Sequence, residues 1–149
     1  MCLICQRIEM IERNENPYFV KEYETGYLVL GDHQYFQGYF LFLSKKHVTE
    51  LHELPRDWRN QYLSEMADAS EIVAKAFRAD KMNIESLGNG DAHLHFHLFP
   101  RKTGDLSNYG HNGKGPVWWY PFEKMYADSV RATGAEIEKL KEKLLDVLG

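Results

Sequence analysis

The sequence predicts an α+β fold, a mainly antiparallel sheet of five strand-like runs with helices packed on one side. Three observations carry this expectation. Two long segments place apolar residues at steps of three or four, the spacing of a helix with one buried face. Four short segments rich in aromatic and aliphatic residues are bounded by turn residues. A fifth run, His93-Leu94-His95-Phe96-His97-Leu98-Phe99, alternates histidine with apolar residues, the two-residue period of a strand.

Taken in order, Ile4, Ile8 and Ile11 have helical spacing and predict a short N-terminal helix that stops before Asn14-Glu15-Asn16-Pro17. Strand-like runs follow at Tyr18 to Tyr23, Tyr27 to Leu30 and Gln37 to Leu43, with turns at Gly26 and Gly31-Asp32. After Pro55, the stripe Trp58, Tyr62, Met66, Ala69, Val73 and Phe77 predicts a helix whose apolar face is core. Met82 to Leu87 reads as a strand and Gly88-Asn89-Gly90 as a turn, so the histidine strand closes a hairpin. Gly104 to Pro116 reads as a loop and Val117 to Tyr120 as an aromatic cluster. Thr133 and Glu136 form a capping box for a last helix striped by Ile137, Leu140, Leu144 and Val147.

Composition narrows the functional classes. The chain has 149 residues, 44% hydrophobic and 27% charged, which suits one soluble domain with its own core. The net charge of −4 offers no basic footprint for DNA or RNA. The first eleven residues carry charge and two cysteines, which argues against a signal peptide or membrane span and makes the cytoplasm the expected location. Two cysteines are too few for a disulfide framework.

On a strand, His93, His95 and His97 share one face with Cα atoms about 7 Å apart, and Leu94, Phe96 and Leu98 take the other. A neutral imidazole can attack phosphorus and form a phosphoramidate that water later breaks, if a partner orients its second nitrogen and donors hold the phosphoryl oxygens. The same three residues also suit a catalytic zinc site, and a solvated polar face is the plainest alternative. Cys2 and Cys5 form a Cys-x-x-Cys pair, half of a tetrahedral metal site or two idle thiols. His33, His52 and His111 stand alone in polar surroundings and read as surface residues, Lys45 and Lys46 as turn charges or a source of positive potential near a phosphate, and Trp118-Trp119 as ordinary packing, with a cover over a base or a contact with a second copy as the alternatives.

The histidine run resembles the signature of the histidine triad (HIT) family of nucleotide hydrolases and transferases. Pro100-Arg101 follows it, as in that family, and Gly38 to His47 is similar to the family block Gly-His-x-Leu-x-x-Pro-Lys-x-His. Leu87-Gly88-Asn89 and Pro116-Val117-Trp118 resemble a bacterial branch of the family. The resemblance implies one HIT-like domain over residues 1–149, with a core at about 1–101 and a C-terminal loop and helix extension at 102–149. It implies that His95 is the nucleophile on an α-phosphate, that His97 lies against the scissile phosphate, and that the backbone near His93 orients the nucleophile. Dinucleoside polyphosphates or nucleoside phosphoramidates would be the substrates, and a homodimer the assembly. Asn89 and Asn83 become candidate phosphate contacts and Asp32 a candidate ribose contact. Where the family has a fourth histidine, this chain has Tyr39, which leaves room for a nucleotide binder without turnover. A structural zinc ion held by Cys2, Cys5, His47 and His93 is also implied by relatives that bind one.

Overall fold

The computed structural model describes residues 2–106 and 116–149; the loop predicted over Gly104 to Pro116, with His111, lies mostly outside the described residues. The described strands are β1 (Phe19–Glu22), β2 (Gly26–Leu30), β3 (Phe40–Ser44), β4 (Lys81–Glu85) and β5 (His95–Arg101), and the helices are α1 (Leu3–Glu12), α2 (Arg56–Phe77), α3 (Phe122–Met125) and α4 (Gly134–Leu148). The strands form one sheet in the order β1-β2-β3-β5-β4, antiparallel at every pairing.

Alternation sorts the two faces. Phe40 and Phe42 pair with Leu98 and Phe96, and these residues meet α2 and α4 through Tyr62, Ala69, Val73, Leu140 and Leu144 in the main core. Leu41 and Leu43 pair with His97 and His95 on the opposite face. The two long helices therefore cover one side, while α1 lies on the other, where Ile4, Ile8 and Ile11 pack on Tyr27, Val29 and Leu43. The capping box of α4 forms as its sequence predicts. Val147 falls outside its buried stripe at 39% exposure. Among the described residues, no helix is long and apolar enough to cross a membrane.

Two strand boundaries differ from the sequence reading. The run from Gln37 enters the sheet at Phe40, because Gly38 turns the chain at φ +91° and a Cβ there would meet the Phe77 ring at 2.5 Å. His93 stands just before β5 rather than inside it. Its ring is claimed by the end of β3 instead, and its exposure is 2%.

Candidate active site and metal cluster

The geometry of the three histidines assigns their protons. His95 Nδ1 lies 2.7 Å from the His93 carbonyl, so that nitrogen carries the hydrogen and donates it. His95 Nε2 is then an unprotonated lone pair, 3.2 Å from His97 Nε2. His97 Nε2–H donates to it, and His97 Nδ1 accepts from the Tyr39 hydroxyl at 2.6 Å. With neutral rings this is the one assignment that satisfies all three contacts. Burial, then the neighbouring His95, push His97 down to about 3, so its ring is neutral across the physiological range. Burial also pushes the Tyr39 phenol well above its ordinary value, so the hydroxyl keeps its proton.

Tyr39 reaches His97 from a stack. Its ring lies 7° from parallel to Phe99 at 4.3 Å and 18° from parallel to His97 at 5.9 Å. Gly31 makes room beneath it, since a Cβ there would overlap the Tyr39 ring. The tyrosine thus stands against the triad, where sequence comparison with the family pattern leaves a histidine missing.

A cavity of about 270 Å³ opens over His95 and His97. Leu3, Ile4 and Arg7 of α1, Val29 and Leu30 of β2, and Asp91, Trp118 and Tyr126 line it. Asp32 is in the lining, but its carboxylate accepts from both terminal nitrogens of Arg7, at 2.7 and 3.2 Å. Asn83 accepts from the buried Arg101, and Asn89 lines a second cavity that shares His95 with the first and also borders His93 and Phe96. Lys45 is paired with Glu22, and Lys46 sits over Trp58.

Sequence reasoning missed two residues of this region, His33 and Glu85, and favoured ordinary packing for a third, Trp118. His33 is not solitary: it lines the cavity and meets Tyr126 edge-on at 5.2 Å. Trp118 is not buried packing, being 41% exposed with its ring 5.3 Å from His97. Of Trp119, only its place in the turn Val117–Trp119 is described. Glu85 pairs in register with His97 and accepts from the Val117 amide at 2.6 Å. Burial raises its carboxyl above the usual range. The register that brings Glu85 to His97 has no signature within either strand alone.

The third histidine belongs to a different cluster. His93 Nε2–H donates to the Ser44 carbonyl at 2.7 Å, which leaves Nδ1 as a lone pair. That nitrogen faces Cys2 Sγ at 3.6 Å, Cys5 Sγ at 3.4 Å and His47 Nδ1 at 3.0 Å. The four ligand atoms lie within 4.8 Å of one another. Zn–N bonds of about 2.0 Å and Zn–S bonds of about 2.3 Å put tetrahedral ligand atoms roughly 3.3–3.8 Å apart, so this donor set fits a metal ion. The carbonyl behind His93 is the kind of second contact that fixes a ligating imidazole. Cys2 also caps α1, its sulfur accepting from the Cys5 amide at 3.2 Å.

An open antiparallel sheet here carries an oriented imidazole pair under a cavity, an arrangement suited to nucleophilic or acid–base chemistry on a bound ligand. The chain belongs to the HIT domain family, whose sequence model matches residues 13–104. It is 28% identical over 108 residues to adenosine 5'-monophosphoramidase HNT1 of Saccharomyces cerevisiae, a match covering 68% of this chain and 63% of that relative, less than two thirds of its length. Among solved structures, a histidine triad protein from Marinobacter aquaeolei VT8 superposes with a TM-score of 0.71 at 26% identity, over 87% of each chain. A zinc-bound histidine triad family protein from Mycobacterium smegmatis has the same fold, with a TM-score of 0.62 at 20% identity over 98% of this chain and 94% of that one.

Proposed function

We propose that this protein transfers or hydrolyses a nucleotidyl group by covalent catalysis, with a nucleoside phosphoramidate or a dinucleoside polyphosphate as substrate. The single observation that carries this is the directed chain from the His93 carbonyl through His95 and His97 to Tyr39, which presents an unprotonated His95 Nε2 to the cavity. The yeast phosphoramidase is a relative of consistent chemistry.

In this reading His95 Nε2 attacks the α-phosphorus, a P–N bond forms, and the bond to the leaving nitrogen or oxygen breaks. An arriving phosphate favours the charged form of His97, because an anion stabilises an imidazolium beside it. His97 then passes its Nε2 proton to the leaving group. The Tyr39 hydroxyl serves both states, donating to the neutral ring and accepting from the charged one. In the second step water attacks phosphorus, the P–N bond breaks, and the proton of the water goes to His97. Asp32, which lines the cavity and is paired with Arg7, is the candidate ribose contact, and Asn89 and Asn83 are the candidate phosphate contacts.

Cys2, Cys5, His47 and His93 would hold a structural zinc ion, which would tie α1 to the sheet. Neither nitrogen of His93 faces His95 and His97, which weighs against a catalytic metal held by all three. A reducing cytoplasm would keep both thiols free for metal. The chain is read as a single domain that pairs with a second copy, and the edge strand β4, with Ile84 at 43% and nearby Leu87 at 46% exposure, supports that pairing.

The test is incubation with adenosine 5'-phosphoramidate and diadenosine polyphosphates, with acid-free mass spectrometry of the protein. Turnover and an adenylyl adduct on His95 are expected. Full activity in His95→Ala would end the mechanism, and nucleotide binding without turnover would make the protein a binder.

A further inference from the structure

The wall of the cavity beyond His97 is aromatic and continues outward. Trp118 lies 5.9 Å from Tyr126 at 69°, and Tyr126 stacks on Phe122 at 4.7 Å. A second cavity, of about 420 Å³, is lined by Trp118, Tyr120, Phe122 and Tyr126, and it shares Trp118 and Tyr126 with the cavity over the histidines. Phe122 is 67% exposed.

The shelf is built rather than loose. Val117 is fully buried with Phe36, Tyr39, Phe99 and Met125. The Val117 and Trp118 amides lie against the Glu85 carboxylate, and Glu85 pairs in register with His97. Trp118 is thereby held beside the reacting imidazoles through its own amide and the buried Val117 before it. The Trp118 ring lies 5.3 Å from the ring of His97, the residue that passes its proton to the leaving group in the reading above, so a departing group leaves His97 beside Trp118.

We propose that Trp118, Tyr126 and Phe122 form a stacking subsite for a planar aromatic leaving group, with Glu85 as the positioning residue that holds Trp118 beside His97. The proposal rests on the nucleotidyl-transfer reading above. Stacking on an aromatic side chain is tolerant of ring identity, so the subsite selects flat aromatic groups as a class over alkyl groups.

Two adenosine 5'-phosphoramidates test it, one of tryptamine and one of n-propylamine, both primary alkylamines of similar basicity. The full chain is expected to favour the tryptamine compound by about tenfold in kcat/KM, with KM carrying the difference. Trp118→Ala and Glu85→Ala should bring the ratio close to one. Glu85→Gln should keep it, because the amide oxygen still accepts from Val117. Phe122→Ala, at an exposed position, should lower the ratio about threefold and decides the matter if Trp118→Ala does not fold. A wild-type ratio near one, a preference that survives Trp118→Ala, or a ratio unchanged in Phe122→Ala overturns the subsite. So does a Trp118→Ala protein that changes mass by light scattering with its ratio intact, since the shelf would then be a contact between copies. Turnover of neither compound overturns the functional reading and the subsite with it.

Discussion

Tyr39 sets the proton positions of two histidines through one hydroxyl. Its 2.6 Å contact to His97 Nδ1 is buried, so Tyr39→Phe leaves that nitrogen without its donor. An unsatisfied buried acceptor costs about 1–3 kcal/mol. The variant should be less stable by that amount, and kcat should fall on the order of tenfold while KM changes little. Gly31→Ala should move activity in the same direction, because its Cβ would overlap the ring. His97 makes a second prediction, in pH. In the unfolded chain it protonates near 6.5, but in the fold it resists protonation down to about 3. Its contribution to stability is therefore full above 6.5 and is lost as pH falls toward 3, at up to about 1.4 kcal/mol per pH unit. Urea unfolding between pH 6.5 and 4 should show a steeper loss in the wild type than in His97→Asn. Parallel slopes would mean that the ring is not held neutral.

Elements with a strong internal period were legible, and features that depend on pairing were not. The α2 stripe and the alternation of β5 each follow from one segment's own burial, so periodicity alone placed them. The third strand was legible as a strand but not in its start point, because Gly38 ends a turn whose need lies in Phe77, thirty-nine positions away in sequence. The turn between β1 and β2 depends on a partner just as remote. Thr25 is fully buried, and its amide and hydroxyl both donate to Glu65 of α2. Burial pushes the Glu65 carboxyl up, but hydrogen bonds from Thr25, Gln61 and the Glu24 amide together outweigh it and hold the group below its usual range. Its contribution is present above the ordinary carboxylate range and is lost as pH falls below it. Glu65→Ala should cost about 1–3 kcal/mol by chemical denaturation at neutral pH and less in acid. An equal cost at both pH values would remove the carboxylate from the account.

At the scale of the whole molecule, the cluster of Cys2, Cys5, His47 and His93 brings together three segments distant in sequence: the start of α1, the turn after β3 and the approach to β5. The Cys-x-x-Cys pair and the triad were both visible in the sequence, but the division of labour within the triad depends on which way each ring turns. That is set by two carbonyls, those of Ser44 and His93. The His93 carbonyl orients His95 while the His93 ring faces the thiols, so one residue separates anchor from reaction centre. Helix α1 also supplies Leu3, Ile4 and Arg7 to the cavity wall. Loss of metal should then loosen α1, lower stability and weaken substrate binding, without removing the nucleophile. Elemental analysis should find about one zinc per chain, and Cys2→Ser should reduce it. At a metal concentration about a thousandfold above Kd, the ion stabilises the fold by about 4 kcal/mol, or roughly 10 °C in Tm for a chain of this size. Chelation should lower Tm by that order and raise KM, with kcat largely kept at temperatures where the metal-free protein is folded. Loss of kcat at unchanged KM and intact fold would instead place the metal in the chemistry, and full metal content in Cys2→Ser would remove that thiol from the ligand set.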